Sequence, residues 1–168
     1  MKYIVGGATA ALALFTFAAG TASAQQLDKN LVGAWTIVSI TAGEGDKATQ
    51  PYGPNPRGTQ VYNPDGRFAV VVARGDLPKV ASNNRTTSTP EESEKIAHGS
   101  IGYFGSYTTG ADNSVTIQIE GATFANWVGT SQKRTYTISG DDLILKNQTS
   151  SSGAAVTVVM KRAGAKAM

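Results

Sequence analysis

The chain has 168 residues, no cysteine, a single histidine and a formal charge of +3. That composition excludes disulfide staples, thiol nucleophiles and histidine- or cysteine-rich metal cages; no metal and no cofactor is expected. The small, evenly spread charge gives no footing for nucleic acid or an anionic membrane surface, and the length suits one domain with a real core.

Residues 1–24 read as a cleaved secretory leader. Lys2 gives a short positive start, Tyr3 to Phe17 an apolar run, and Ala22-Ser23-Ala24 a small-residue cleavage site before Gln25. The run is too short to span a bilayer, and Gly6, Gly7 and Thr9 interrupt it. The expectation is a periplasmic or secreted protein, not stably inserted in a membrane after cleavage, with one domain over residues 25–168.

The sharpest local signal in that domain is Tyr62-Asn63-Pro64-Asp65-Gly66-Arg67. Asn63 opens a type I turn, Pro64 presets φ, Asp65 tolerates the bridge region, and Gly66 supplies the left-handed residue of a G1 bulge. The turn predicts Tyr62 opposite Arg67 and Val61 opposite Phe68. Runs rich in β-branched and aromatic residues predict strands over 33–40, 59–63, 67–73, 101–109, 115–120, 131–139, 143–146 and 156–162. Joined mostly by short links, they predict an all-β fold, an eight-stranded antiparallel up-and-down barrel.

Alternation assigns an inside. Val115, Ile117 and Ile119 share a face, as do Tyr103, Gly105 and Tyr107, then Arg134, Tyr136 and Ile138. Leu143 with Leu145, and Val156, Val158 and Met160 with Arg162, complete the apolar side. A barrel of this size either fills its interior with side chains or holds one small ligand. Gly102, Gly105, Ala69 and Ala73 are expected to leave room.

One long connection, from Arg74 to Ser100 between the third and fourth strands, interrupts the pattern. Thr89-Pro90-Glu91-Glu92 starts a short helix there: a cap, a proline suited to the first position, a capping-box acid and negative charge at the positive end. Gly99 is expected to stop it. Such a connection serves either as a lid or as a plug of one barrel end.

Taken together, several blocks resemble the bacterial and fungal lipocalin-like domain family, a branch of the lipocalin and calycin barrels. They are Leu31-Val32-Gly33-Ala34-Trp35, Tyr52-Gly53-Pro54-Asn55-Pro56-Arg57-Gly58, Tyr62-Asn63-Pro64-Asp65-Gly66-Arg67 and Thr89-Pro90-Glu91. Tyr103-Phe104-Gly105-Ser106-Tyr107 and the set Asn126, Trp127, Gly129, Thr130, Gln132 and Arg134 complete them. The resemblance implies a barrel with a central cavity and, usually, a small apolar ligand; it implies no particular reaction. It also implies that Trp35 closes one barrel end with a basic residue over its ring, a place Arg162 would fill as a structural cation–π contact.

Arg134, on an inward parity, is the most informative polar residue. It reads as a receptor for a ligand carboxylate or polar head group, or else as one half of an internal pair with Glu120 or a residue of the solvated rim. The aromatic set Phe68, Tyr103, Tyr107, Phe124, Trp127 and Tyr136 reads as a pocket lining or as ordinary core. His98 reads as a helix-end cation or a general acid–base.

No nucleophile elbow, zinc pair, P-loop or dinucleotide fingerprint occurs, so no catalytic residue is assigned. The leading expectation is an exported barrel that binds or carries a small, mostly apolar molecule. The competitors are an isomerase- or cyclase-type enzyme using Tyr103, Tyr107, Arg134 or His98, and an envelope interaction module using the outer barrel face.

Overall fold

The computed structural model describes residues 27–164, so the leader expected over residues 1–24 lies outside the described residues. Eight strands close in chain order into an antiparallel barrel. They are β1 Gly33–Ala42, β2 Arg57–Tyr62, β3 Arg67–Ala73, β4 Ser100–Gly110, β5 Ser114–Ala122, β6 Ser131–Ser139, β7 Asp142–Asn147 and β8 Val156–Arg162, with helix α1, Pro90–Gly99, between β3 and β4. β1 pairs with β8 from Trp35↔Arg162 to Ala42↔Val156, which closes the sheet and removes both of its edges.

The β2–β3 turn forms the expected loop but in a different register. Asn63 N–H donates to the Arg67 carbonyl at 2.7 Å, Gly66 N–H to the Asn63 carbonyl at 3.1 Å, and Gly66 has φ +82°. Asn63 and Arg67 therefore close the three-residue loop, and the first strand pair beyond it is Tyr62↔Phe68, followed by Val61↔Ala69. Tyr62 and Phe68 both face inward, 0% and 3% exposed. Arg67 points outward, where its guanidinium forks onto Glu120 at 2.5 and 2.8 Å.

This register also moves the small residues. Ala69 and Ala73 alternate with the inward Phe68, Val70 and Val72, so they open no interior space. Gly102 faces out too, where a Cβ would touch Val71 and Thr123. Gly105 sits at the β4–β5 bulge, and its missing Cβ would collide with the Gln118 carbonyl oxygen. It allows two backbones to approach, and leaves no void.

The two barrel ends differ because connections alternate between them. The links β2–β3, β4–β5 and β6–β7 are tight hairpins at one end, while the longer links β1–β2, β3–β4, β5–β6 and β7–β8 gather at the other. The hairpin end is sealed. Trp35 is fully buried, its indole N–H donates to the Leu31 carbonyl at 2.9 Å, and the Arg162 guanidinium lies 4.2 Å over its ring. Arg162 also donates to the carbonyls of Val32 and Asn30 at 3.2 and 2.9 Å, tying down the chain that enters β1. Leu31, Tyr62, Met160, Leu143, Ile117 and Ile119 fill this half with completely buried side chains.

Helix α1 starts as its sequence dictates. The Thr89 hydroxyl accepts from the Glu92 N–H, and the Glu92 carboxylate accepts from the Thr89 N–H, a complete capping box with Pro90 in the first turn. Its end differs in cause. Gly99 does not have a positive φ; a Cβ there would meet the Leu77 side chain at 2.6 Å and Arg74 Cδ at 3.0 Å. The glycine is set by close packing of the connection, and no left-handed stop is involved. Gly99 is also the one buried residue of the helix, so α1 lies on the barrel with most of its surface in water.

Candidate functional site

The half of the barrel nearest the long connections is hollow. A cavity of about 160 Å³ opens there, walled by Ile37, Ile40, Val70, Val72, Ile101, Leu145 and Val158. Strand alternation puts these aliphatic side chains inside, and branching at Cβ restricts the χ1 of the isoleucines and valines among them. The polar lining residues include Gln60, Tyr103, Arg134 and Tyr52, with His98, Asn147 and Ser150 to Ser152 at the mouth.

Arg134 belongs to β6 yet reaches Tyr103 on β4, spanning the face of the intervening β5. It is 4% exposed, donates to the Tyr103 hydroxyl at 2.9 Å and lies 5.3 Å from that ring's centre. Its other terminal nitrogen donates to the Gln132 side-chain oxygen at 2.8 Å, and its buried Nε has no partner among the described residues. The pairing with Glu120 does not form, because Glu120 is outside on Arg67. A guanidinium thus sits inside the barrel against neutral partners.

Gln60, 2% exposed, donates from its side-chain amide to the Tyr62 hydroxyl. Burial pushes the Tyr62 phenol well above its ordinary range, against an opposing pull from Arg134, and burial beside Tyr103 pushes Tyr52 up to about 12. Both stay neutral at physiological pH.

Trp127 enters the lining from the β5–β6 link. A single 3-10 turn, Ala125–Trp127, is closed by Trp127 N–H donating to the Phe124 carbonyl at 3.0 Å and Thr130 Oγ1 donating to the Trp127 carbonyl at 2.7 Å. The indole meets Tyr103 edge-on at 5.2 Å and Phe124 at 5.7 Å. Tyr52 is carried by a Gln50-to-Gly53 turn, in which Gly53 N–H donates to the Gln50 carbonyl at 2.9 Å. Pro51 presets that turn and Gly53, at φ +72°, leaves it.

The sequence-derived residues divide between the two ends. Tyr103, Trp127 and Arg134 come together on the cavity. Phe68 packs behind Tyr103, ring centres 5.9 Å apart, and Phe124 lines a neighbouring groove. Tyr107 and Tyr136 lie toward the sealed end: Tyr107 donates to the Asn63 carbonyl at 2.9 Å, and Tyr136 to the Asp28 carboxylate at 2.7 Å. His98 is at the rim, its side chain 79% exposed and 3.9 Å from Glu94. Gln60 was legible as sharing the parity of Tyr62, two residues on, and Tyr52 as part of a turn beside the barrel.

The sequence profile of the lipocalin-like domain family matches residues 32–162, nearly the whole described chain. The chain belongs to the lipocalin-like family. Comparison with curated proteins finds no match. The lipocalin-like barrel is a ligand-binding type of fold, and here the match spans both the sealed end and the hollow one. Among the described residues no helix is long and apolar enough to cross a membrane. The lipocalin-like cavity also adjoins a larger groove of about 920 Å³ beside α1, lined in part by Ser93, Ile96 and Ala97. Tyr52, His98, Ile101, Ser151 and Ser152 border both spaces.

Proposed function

We propose that this lipocalin-like protein is exported to the periplasm or beyond and binds or carries a small, mostly apolar molecule in the hollow half of its barrel. The observation that carries this reading is the cavity itself: it lies in the half nearest the long connections, most of its surface is apolar, and a few polar groups converge on it. The leader-like residues 1–24 support export. The connection from Arg74 to Ser100 acts as a partial cover, because His98 and the groove beside α1 adjoin the mouth.

Size narrows the cargo. An apolar cavity of about 150 Å³ in another protein accepts benzene, so a space of about 160 Å³ suits a single ring or a short alkyl chain. Toluene is therefore a fair probe. It should shift the methyl NMR signals of Val70, Val72 and Leu145 in the native protein. In Val158→Phe, whose new ring occupies the space, those shifts should vanish while the dispersion of a folded barrel persists. Toluene shifts that survive the substitution, or that never occur, would defeat the proposal.

A further inference from the structure

The proposed cavity has a chemical bias at its polar end. Arg134 has five N–H groups, of which the described residues accept from two, through the Tyr103 hydroxyl and the Gln132 amide oxygen. Its Nε is enclosed and has no partner among the described residues. Seven ion pairs form among the described residues and Arg134 is in none of them. The Tyr103 hydroxyl uses a lone pair to accept from Arg134, which leaves its own hydrogen free to donate.

A buried cation is costly unless a counter-charge or a full set of hydrogen bonds offsets it. Here the described residues supply only neutral oxygens, and they place the cation on the lining of a mostly apolar cavity. Two donors, Arg134 and Tyr103, meet at that lining, which Gln60 shares.

Resting on the cavity reading above, we infer that the ligand is a small monocarboxylate that enters head first, its carboxylate received by Arg134 and Tyr103 and its ring or short chain held by the aliphatic walls. The planar guanidinium fork matches a carboxylate, and the low-dielectric wall strengthens the bond formed there. Phosphate and sulfate fit less well, because one cation and one phenol do not offset a bulkier or doubly charged group.

The test compares benzoate, benzyl alcohol and toluene, which share a ring and differ in head group. With the full barrel, benzoate should bind at least about tenfold more tightly than benzyl alcohol, as charge-assisted bonds outweigh neutral ones. Arg134→Met, a change that removes a buried charge and keeps an apolar stem, should abolish this preference and leave toluene binding intact. Tyr103→Phe keeps the ring against Phe68 and Trp127 and should cut benzoate affinity by a smaller factor, which secures the test if Arg134→Met does not fold. Equal binding of benzoate and benzyl alcohol, with toluene still bound, would overturn the carboxylate inference alone. Failure of all three ligands would overturn it together with the cavity reading.

Discussion

Arg162 shows how one side chain can seal a barrel. Its guanidinium caps the Trp35 ring at 4.2 Å and donates to two carbonyls of the entering chain, so it joins the last strand to the segment before the first. A cation–π contact and two charge-assisted hydrogen bonds, partly exposed, together are worth about 1–3 kcal/mol. Arg162→Met should lower the stability to urea by that amount. The fluorescence of Trp35 should also become more accessible to quenchers, since the ring loses its cover. An unchanged midpoint would mean that Leu31 and the β1–β8 ladder suffice on their own.

At the scale of the element, α1 is a helix whose ends are well made and whose body is barely attached. The Glu92 carboxylate accepts from the Ala81 N–H at 3.0 Å and from the Thr89 N–H at 2.8 Å, and these two bonds, Ala81 first, hold its pKa below the ordinary 4.5. A depressed carboxylate contributes stability that is complete above its unfolded value and lost as pH falls through the folded one. The start of α1 and its tie to Ala81 should therefore loosen only below about pH 4.5. The Ala81 and Thr89 amide signals should titrate together there in NMR spectra, and Glu92→Gln should remove that step. The barrel strands should not respond, because α1 contributes little buried surface to them.

For the whole molecule, the tyrosines make alkali the sensitive direction. Burial is the first cause that raises the phenols of Tyr52, Tyr62, Tyr107 and Tyr136, and Asp28, accepting from Tyr136, raises that one further. For an acid with a raised folded pKa, the stabilisation is full below the unfolded value near 10 and lost as pH rises toward the folded one. Stability should hold to about pH 10 and then fall steeply. A spectrophotometric titration should show a class of tyrosines that ionises only as the barrel opens. Normal, reversible ionisation of all of them in a barrel that stays closed would refute this.

These scales also separate what was legible in the chain from what was not. The strands, the G1 turn, the capping box and the inward parity of Val115, Ile117, Ile119 and Arg134 are written in local pattern, because a two-residue period and turn chemistry act over a few positions. The pairing of Tyr62 with Phe68 follows from that same turn, because a G1 loop encloses three residues and so sets Asn63 against Arg67; the expected pairing of Tyr62 with Arg67 left one loop residue out. Gly99 and Gly105 were readable as glycines, but their reasons lie in Leu77, Arg74 and Gln118, which only folding brings near. So too with the site. The sequence by itself determined a lipocalin-like ring of strands with a charged residue inside. Only the tertiary structure decided that one half is packed solid, that the long links gather over the other, and that Arg134 meets Tyr103 with no acid among the described residues paired to it, because such meetings depend on barrel closure and not on neighbours in the chain.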